Sequence, residues 1–175
     1  HLDFHGSMED YEAAKARLFR EGFADHAVVS VDGPAGRRMA RVAEASGLSV
    51  VTVDSSAVDA TVTATGCGMA WRGRTLEVST GGRFTVANAL VAAELALVLG
   101  CSEDDVVAGL ATATPVPGRF QPVPLAGGPT VVVDYAHTPD ALEAVLGAAR
   151  DVLDAGAGGS AGQPGRLIVV FGCGG

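Results

Sequence analysis

The chain has 175 residues, 48% of them apolar, which suffices for one domain of ordinary size with a genuine core and excludes a disordered chain. Its 12 Lys and Arg stand against 20 Asp and Glu, a formal charge of −8, so it lacks the basic face on which nucleic-acid binding depends. Aromatics are scarce at 5%, Gly counts 24, and the apolar residues are mostly Ala, Val and Leu, which suits helices layered on a Val-rich sheet.

Ser7-Met-Glu-Asp10 resembles a capping box with Asp in place of Glu, and Met8, Tyr11, Ala14 and Leu18 recur at helical spacing, so a helix is expected from about Met8 to Arg20. Ala27 to Val31 is a short β-rich run that ends in the turn Asp32-Gly-Pro-Ala-Gly36. A helix to about Ser46 follows, Gly47 closes it, and Leu48 to Val53 supplies a second buried strand. This β-α-β order predicts a parallel sheet. Between Thr61 and Thr80 the pattern becomes alternation broken by Gly66, Gly68 and Gly73, which predicts a small antiparallel insert of hairpins.

Gly81-Gly-Arg-Phe84 opens a long Ala/Leu helix to Leu99, and Ser102-Glu-Asp-Asp105 starts another that ends near Thr112. The stretch from Phe84 to Leu99 carries Asn88 and Glu94 and falls short of the roughly 20 apolar residues that cross a bilayer, so no membrane span is expected. Pro115 to Phe120 reads as a turn into a strand, Thr130 to Val133 as a second strand, and Pro139 as the first turn of a helix to about Leu153. Ala155 to Gly165 is a low-complexity Gly/Ala connector, and Arg166 to Phe171 reads as a buried strand feeding a Gly-rich turn. The fold class is therefore α/β: a mostly parallel sheet flanked by helices, with a small antiparallel β insert. The first residue is His1 rather than Met, and Phe171 to Gly175 closes no element, so both ends are expected to be cut. Cys67, Cys101 and Cys173 are far apart and odd in number, forming neither a disulfide framework nor a CxxC pair, which fits a reducing cytoplasm.

Several residues could carry chemistry. Lys15 is the single lysine beside eleven arginines. Either it lies on a solvated helix face, or it does what an always-protonated Arg cannot: a neutral lysine amine takes up carbon dioxide to form a carbamate, an oxygen ligand suited to Mg²⁺. His1-Leu-Asp-Phe-His5 offers metal-ligand types or a tag remnant. In Asp134-Tyr-Ala-His-Thr-Pro-Asp140, Asp134 ends a strand where a nucleotide ribose would sit, with Tyr135 and His137 in the turn; otherwise Asp134 caps the next helix. Arg119 could hold phosphate oxygens bidentately or be a surface arginine, and Asn88 could meet an adenine edge or be a structural amide. Gly172 to Gly175 resembles a phosphate-cradling loop, but the chain contains no GxxxxGK[ST] motif.

Taken together, the segments His1-Leu-Asp-Phe-His-Gly6, Tyr11-Glu-Ala-Ala-Lys15, Phe84 to Asn88, Pro117-Gly-Arg119, Asp134 to Asp140 and Val170-Phe-Gly-Cys-Gly-Gly175 resemble, in order, the Mur ligase family, in particular its UDP-N-acetylmuramoyl-tripeptide synthetase (MurE) type. The resemblance covers the whole chain, and DYAHTPD followed by VFGCGG is its most diagnostic pair. It implies residues 1–175 as part of a P-loop NTPase-like central ATP-binding domain, with the phosphate loop upstream of His1 and the C-terminal domain beyond Gly175. It also implies a cytoplasmic, ATP-dependent ligase that adds a diamino acid, meso-diaminopimelate or L-lysine, to UDP-N-acetylmuramoyl-L-alanyl-D-glutamate in peptidoglycan synthesis. By that resemblance Lys15, carbamylated, and His1 serve Mg²⁺, Asn88 faces adenine, Arg119 meets the phosphates, Asp134 the ribose, and Tyr135 and His137 line the nucleotide pocket. Thr85, Arg83 and Pro34 depart from the family's pattern. Cyanophycin synthetase, which shares DYAHTPD, folylpolyglutamate synthetase and a non-catalytic nucleotide-binding domain are the alternatives; the fragment alone is expected to be inactive.

Overall fold

The computed structural model describes residues 6–20, 22–126, 128–157 and 165–172. They divide into two units, residues 1–58 with 87–106 and residues 59–86 with 107–175.

In the first unit, α1 (Met8–Ala16) starts where Ser7 caps it, the Ser7 hydroxyl accepting the Asp10 N–H at 3.1 Å, and a 3-10 turn extends it over Arg17–Phe19. None of the residues of α1 is buried. Glu12 joins it to α2 (Pro34–Ala45) through a forked ion pair with Arg38, in which Nε donates to Oε2 at 2.9 Å and the second nitrogen meets Oε1. The Arg38 guanidinium, by hydrogen bond and by charge, holds the Glu12 carboxyl below the usual carboxylate range.

Strands β1 (His26–Ser30) and β2 (Ser49–Val53) pair in parallel, Ala27 opposite Val50 and Val29 opposite Thr52. Helix α2 connects them and lays Ala40 and Ala43 on Ala27, Val29 and Leu48, with Phe19, Val31, Met39 and Val50 closing the edges. Pro34 occupies the first turn of α2, where its missing N–H costs nothing. Gly47, at φ +81°, ends that helix as expected.

In the second unit, β3 (Ala60–Val62), β4 (Cys67–Trp71) and β5 (Arg74–Val78) form an antiparallel meander in the order β3-β4-β5. Its inward positions Cys67, Met69, Trp71 and Leu76 alternate with outward ones, and the two-residue turn at Arg72 and Gly73 has positive φ at both positions, the hand that suits a twisted hairpin. Strands β6 (Gln121–Val123) and β7 (Val131–Val133) pair antiparallel, and α5 (Pro139–Val152) follows, capped by Thr138. Helix α3 (Phe84–Val98), which from Ala87 onward belongs to the first unit, has a buried stripe of Val86, Ala89, Leu90 and Ala93, and α4 (Glu103–Thr112), first-unit as far as Val106, starts behind the Ser102 hydroxyl, which accepts the Asp105 N–H at 3.1 Å. No described helix is long and apolar enough to cross a membrane.

The α/β class and the antiparallel insert are as expected, and among the described residues parallel pairing is confined to β1 and β2. The expected strand from Arg166 to Phe171 is irregular and exposed instead, Val170 at 93%, because a Val/Ile run becomes a strand only by pairing and no described strand pairs with it. Most of the Gly/Ala connector, residues 158–164, lies outside the described residues, as does Cys173.

Burial gives Cys67 a measurable signature. It pushes the thiol from an ordinary 9.0 up to about 11, although the Thr85 side chain pulls the other way. The folded chain thus keeps a proton that the unfolded chain releases, so the stability Cys67 contributes is complete below about pH 9 and is lost as the pH climbs toward about 11. At pH 8, a thiol reagent should label the exposed Cys101 at once and Cys67 only upon unfolding, as read by peptide mass. Equal labelling rates would contradict this.

Candidate functional site

In the second unit a cluster of sequence-predicted residues is built from two turns. One is Pro117 to Phe120, where Gly118 has φ +70° and Phe120 φ +44°; the other is Asp134 to Thr138, between β7 and α5. Backbone and carboxylate bonds join them. The Tyr135 N–H donates to the Gly118 carbonyl at 2.8 Å, and Asp134 accepts the Phe120 N–H on Oδ2 and the Ala136 N–H on Oδ1, both at 2.8 Å. The Gly118 N–H donates to the Gln121 side-chain oxygen at 2.8 Å, closing the first turn.

On this frame the Arg119 guanidinium carbon lies 5.4 Å from the centre of the Tyr135 ring, and the Tyr135 and His137 rings meet edge to face at 4.9 Å. His137 Nδ1 lies 2.9 Å from the Tyr135 carbonyl. Arg119, Tyr135 and His137 are all exposed, so the cluster offers a cationic fork, an aromatic face and an imidazole to solvent. Such a set can take a phosphate and a flat ring. The alternative in which Asp134 caps the following helix does not hold: Thr138 does so, its hydroxyl accepting the Ala141 N–H at 3.3 Å.

Phe120 and Gln121 are the contributors that sequence reasoning missed. Phe120 is 1% exposed and packs edge to face on Phe84 at 5.6 Å. An aromatic after Gly-Arg was the visible signal, but a bulky residue at positive φ cannot be read from residue type, because such residues avoid that region. Thr85 also gains an account: it is buried and its hydroxyl donates to the Gly81 carbonyl at 2.7 Å, a local bond at the start of α3. Arg83 lies 3.7 Å from Asp151, an exposed ion pair.

Lys15 and Asn88 belong to the first unit. Lys15 is exposed near the end of α1, with Nζ 4.3 Å from the centre of the Tyr11 ring. Asn88 is exposed, off the buried stripe of α3. His1, with the rest of His1 to His5, lies outside the described residues. Among the described residues no group of three or more His, Cys, Asp or Glu is placed to hold a metal ion.

Against known proteins, the Mur ligase middle domain profile matches residues 1–96, and the profile of the Mur ligase glutamate ligase domain matches residues 118–175. The chain belongs to the Mur ligase family. The second match reassigns a stretch: residues 118–175, expected within the central domain, match the glutamate ligase domain, so the cluster of Arg119, Asp134, Tyr135 and His137 falls there. The UDP-N-acetylmuramoyl-L-alanyl-D-glutamate--2,6-diaminopimelate ligase of Chromobacterium violaceum is 40% identical over 184 residues, covering 100% of this chain and 36% of that protein. The chain therefore spans about a third of the length of the curated relatives it matches.

Solved Mur ligases share the fold. MurF from Acinetobacter baumannii superposes with a TM-score of 0.71 at 22% identity, over 87% of this chain and 34% of that one. A UDP-N-acetylmuramoyl-L-alanyl-D-glutamate--2,6-diaminopimelate ligase gives a TM-score of 0.65 at 28% identity, over 85% of this chain and 33% of that one.

Proposed function

We propose that this chain is the ATP-handling part of a cytoplasmic Mur ligase that joins a diamino acid to UDP-N-acetylmuramoyl-L-alanyl-D-glutamate. The observation that carries the reading is the Arg119, Tyr135 and His137 cluster fastened on Asp134, a ready site for the phosphates and ring of a nucleotide. The relatives' names favour 2,6-diaminopimelate over L-lysine, and a Mur ligase over cyanophycin synthetase or folylpolyglutamate synthetase.

In this reading the side-chain carboxylate of D-Glu attacks the γ-phosphate of ATP, ADP departs, and the resulting acyl phosphate is displaced by the diamino acid's amine. Phosphate leaves and the amine loses its proton. Attack of one anion on another is the electrostatic difficulty, and Arg119 offsets it with a charge and two parallel donors on the phosphoryl oxygens. Asp134 keeps lone pairs beyond its two backbone bonds with which to accept a ribose hydroxyl. Tyr135 and His137 flank the nucleotide.

For Mg²⁺ the reading takes Lys15 as a ligand once it is carbamylated. Its amine sits at the exposed end of a helix, so a carbamate there would form without burying charge. Such a carbamate, with His1, would hold the metal, which would supply positive charge.

The experiment is ADP release by the full-length ligase that carries this chain, given ATP, UDP-N-acetylmuramoyl-L-alanyl-D-glutamate and either meso-diaminopimelate or L-lysine. Turnover is expected with meso-diaminopimelate, and the 175 residues alone should give none. Silence of the full-length protein with both diamino acids would sink the reading in favour of a non-catalytic nucleotide-binding domain or a ligase of other substrates.

A further inference from the structure

We propose that Asp134 is a positioning residue for Arg119, fastening the turn that carries the guanidinium to the turn that carries Tyr135 and His137. The proposal rests on the reading above, in which Arg119 meets the phosphates of ATP. A carboxylate in a nucleotide site invites a role confined to the ligand. Here both of its oxygens are already engaged with the protein, one on the Phe120 N–H and one on the Ala136 N–H, each at 2.8 Å. Bonds from a backbone N–H to a charged carboxylate are among the stronger hydrogen bonds a protein makes.

The segment they secure is one that local preference opposes. Gly118 and Phe120 flank Arg119 with φ of +70° and +44°, and the second is a bulky residue in a region that L residues avoid. Such a backbone persists where its surroundings over-determine it. The Asp134 bond to the Phe120 N–H acts at the disfavoured residue itself, and the Phe120 ring, seated against Phe84, anchors its other side. The Tyr135 N–H on the Gly118 carbonyl ties down the far side of Arg119. With both neighbours pinned, the direction in which the exposed Arg119 side chain leaves the backbone is set, and it leaves toward the Tyr135 ring. A carboxylate that met only the ribose would act independently of Arg119. A positioning carboxylate acts through it.

The test is a double-mutant cycle in the full-length ligase: wild type, Arg119→Ala, Asp134→Asn and the double variant, each measured for kcat and KM of ATP. Hydrogen exchange resolved to the peptide covering residues 118–122 accompanies it. Asparagine keeps one acceptor and turns an N–H₂ toward the other backbone N–H, so one fastening is lost. Asp134→Asn should lower kcat by about tenfold or more, and the double variant should be within about twofold of Arg119→Ala. Exchange across 118–122 should rise. Losses that multiply in the double variant, or an unchanged exchange rate, would overturn the proposal.

Should Asp134→Asn fail to fold, Gln121→Ala serves instead. It removes the exposed side chain that accepts the Gly118 N–H, and it should show the same non-additivity with Arg119→Ala at a smaller size, about threefold in kcat. If wild-type protein releases no ADP, the functional reading falls, and faster exchange across 118–122 in the variant still decides whether Asp134 fastens the turn.

Discussion

Lys15→Arg is expected to abolish ligase turnover in the full-length protein, by at least about a hundredfold, while leaving the fold intact. The side chain is exposed on a helix with no buried residue, so replacement by a long cation removes no core contact. Arginine keeps the helix propensity, the positive charge and the ability to stack on Tyr11, whose ring centre lies 4.3 Å from Nζ. What it loses is an amine that can give up its proton and take up carbon dioxide. The measurement is ADP release with and without added bicarbonate, beside the melting temperature of both proteins. Full turnover by the arginine variant would return Lys15 to the status of a solvated helix residue and remove the carbamate from the mechanism.

Gly36→Ala should prevent the first unit from folding in its present form. A Cβ at Gly36 would stand 1.9 Å from the Ser30 carbonyl oxygen and 3.0 Å from its carbon, in the backbone of β1 where no rotamer can yield. Relief requires α2 to lift away from the sheet, which would open the packing of Ala40 and Ala43 against Ala27, Val29 and Leu48. The cost should exceed about 3 kcal/mol, a large share of the roughly 5–15 kcal/mol that typically stabilises a folded domain. Gly109→Ala in α4 is the control. Nothing lies within 4 Å of a Cβ there, so the variant should be unchanged or more stable by up to about 1 kcal/mol. Urea melts of the two variants decide the matter, and a folded Gly36→Ala protein of wild-type stability would show that the helix does not sit so close to the strand.

The elements legible in the sequence were those whose signals are local. Caps at Ser7 and Ser102, the stop at Gly47, Pro139 in a first turn and the period-two run through β4 and β5 each declare themselves within a few residues. What could not be read depends on partners distant in sequence. The run from Arg166 to Phe171 has the composition of a strand, yet pairing is a property of two segments, and here the run stands exposed. The same holds in the site. Arg119, Asp134, Tyr135 and His137 could be proposed from residue type and turn context, but the Phe120 N–H on Asp134 joins residues fourteen apart through a backbone conformation that residue type argues against.

Helix α1 presents Lys15 yet buries none of its own residues, and an exposed ion pair from Glu12 to Arg38 joins it to α2. Phe19, just beyond it, packs on the core of the first unit. Opening of Met8–Ala16 should therefore expose little apolar surface and cost far less than unfolding the sheet. Its surface charge pair is also screened by salt. Ionic strength should accordingly loosen the helix that bears the chain's single lysine before it touches the strands, making the presentation of that amine a salt-dependent quantity even where overall stability is not.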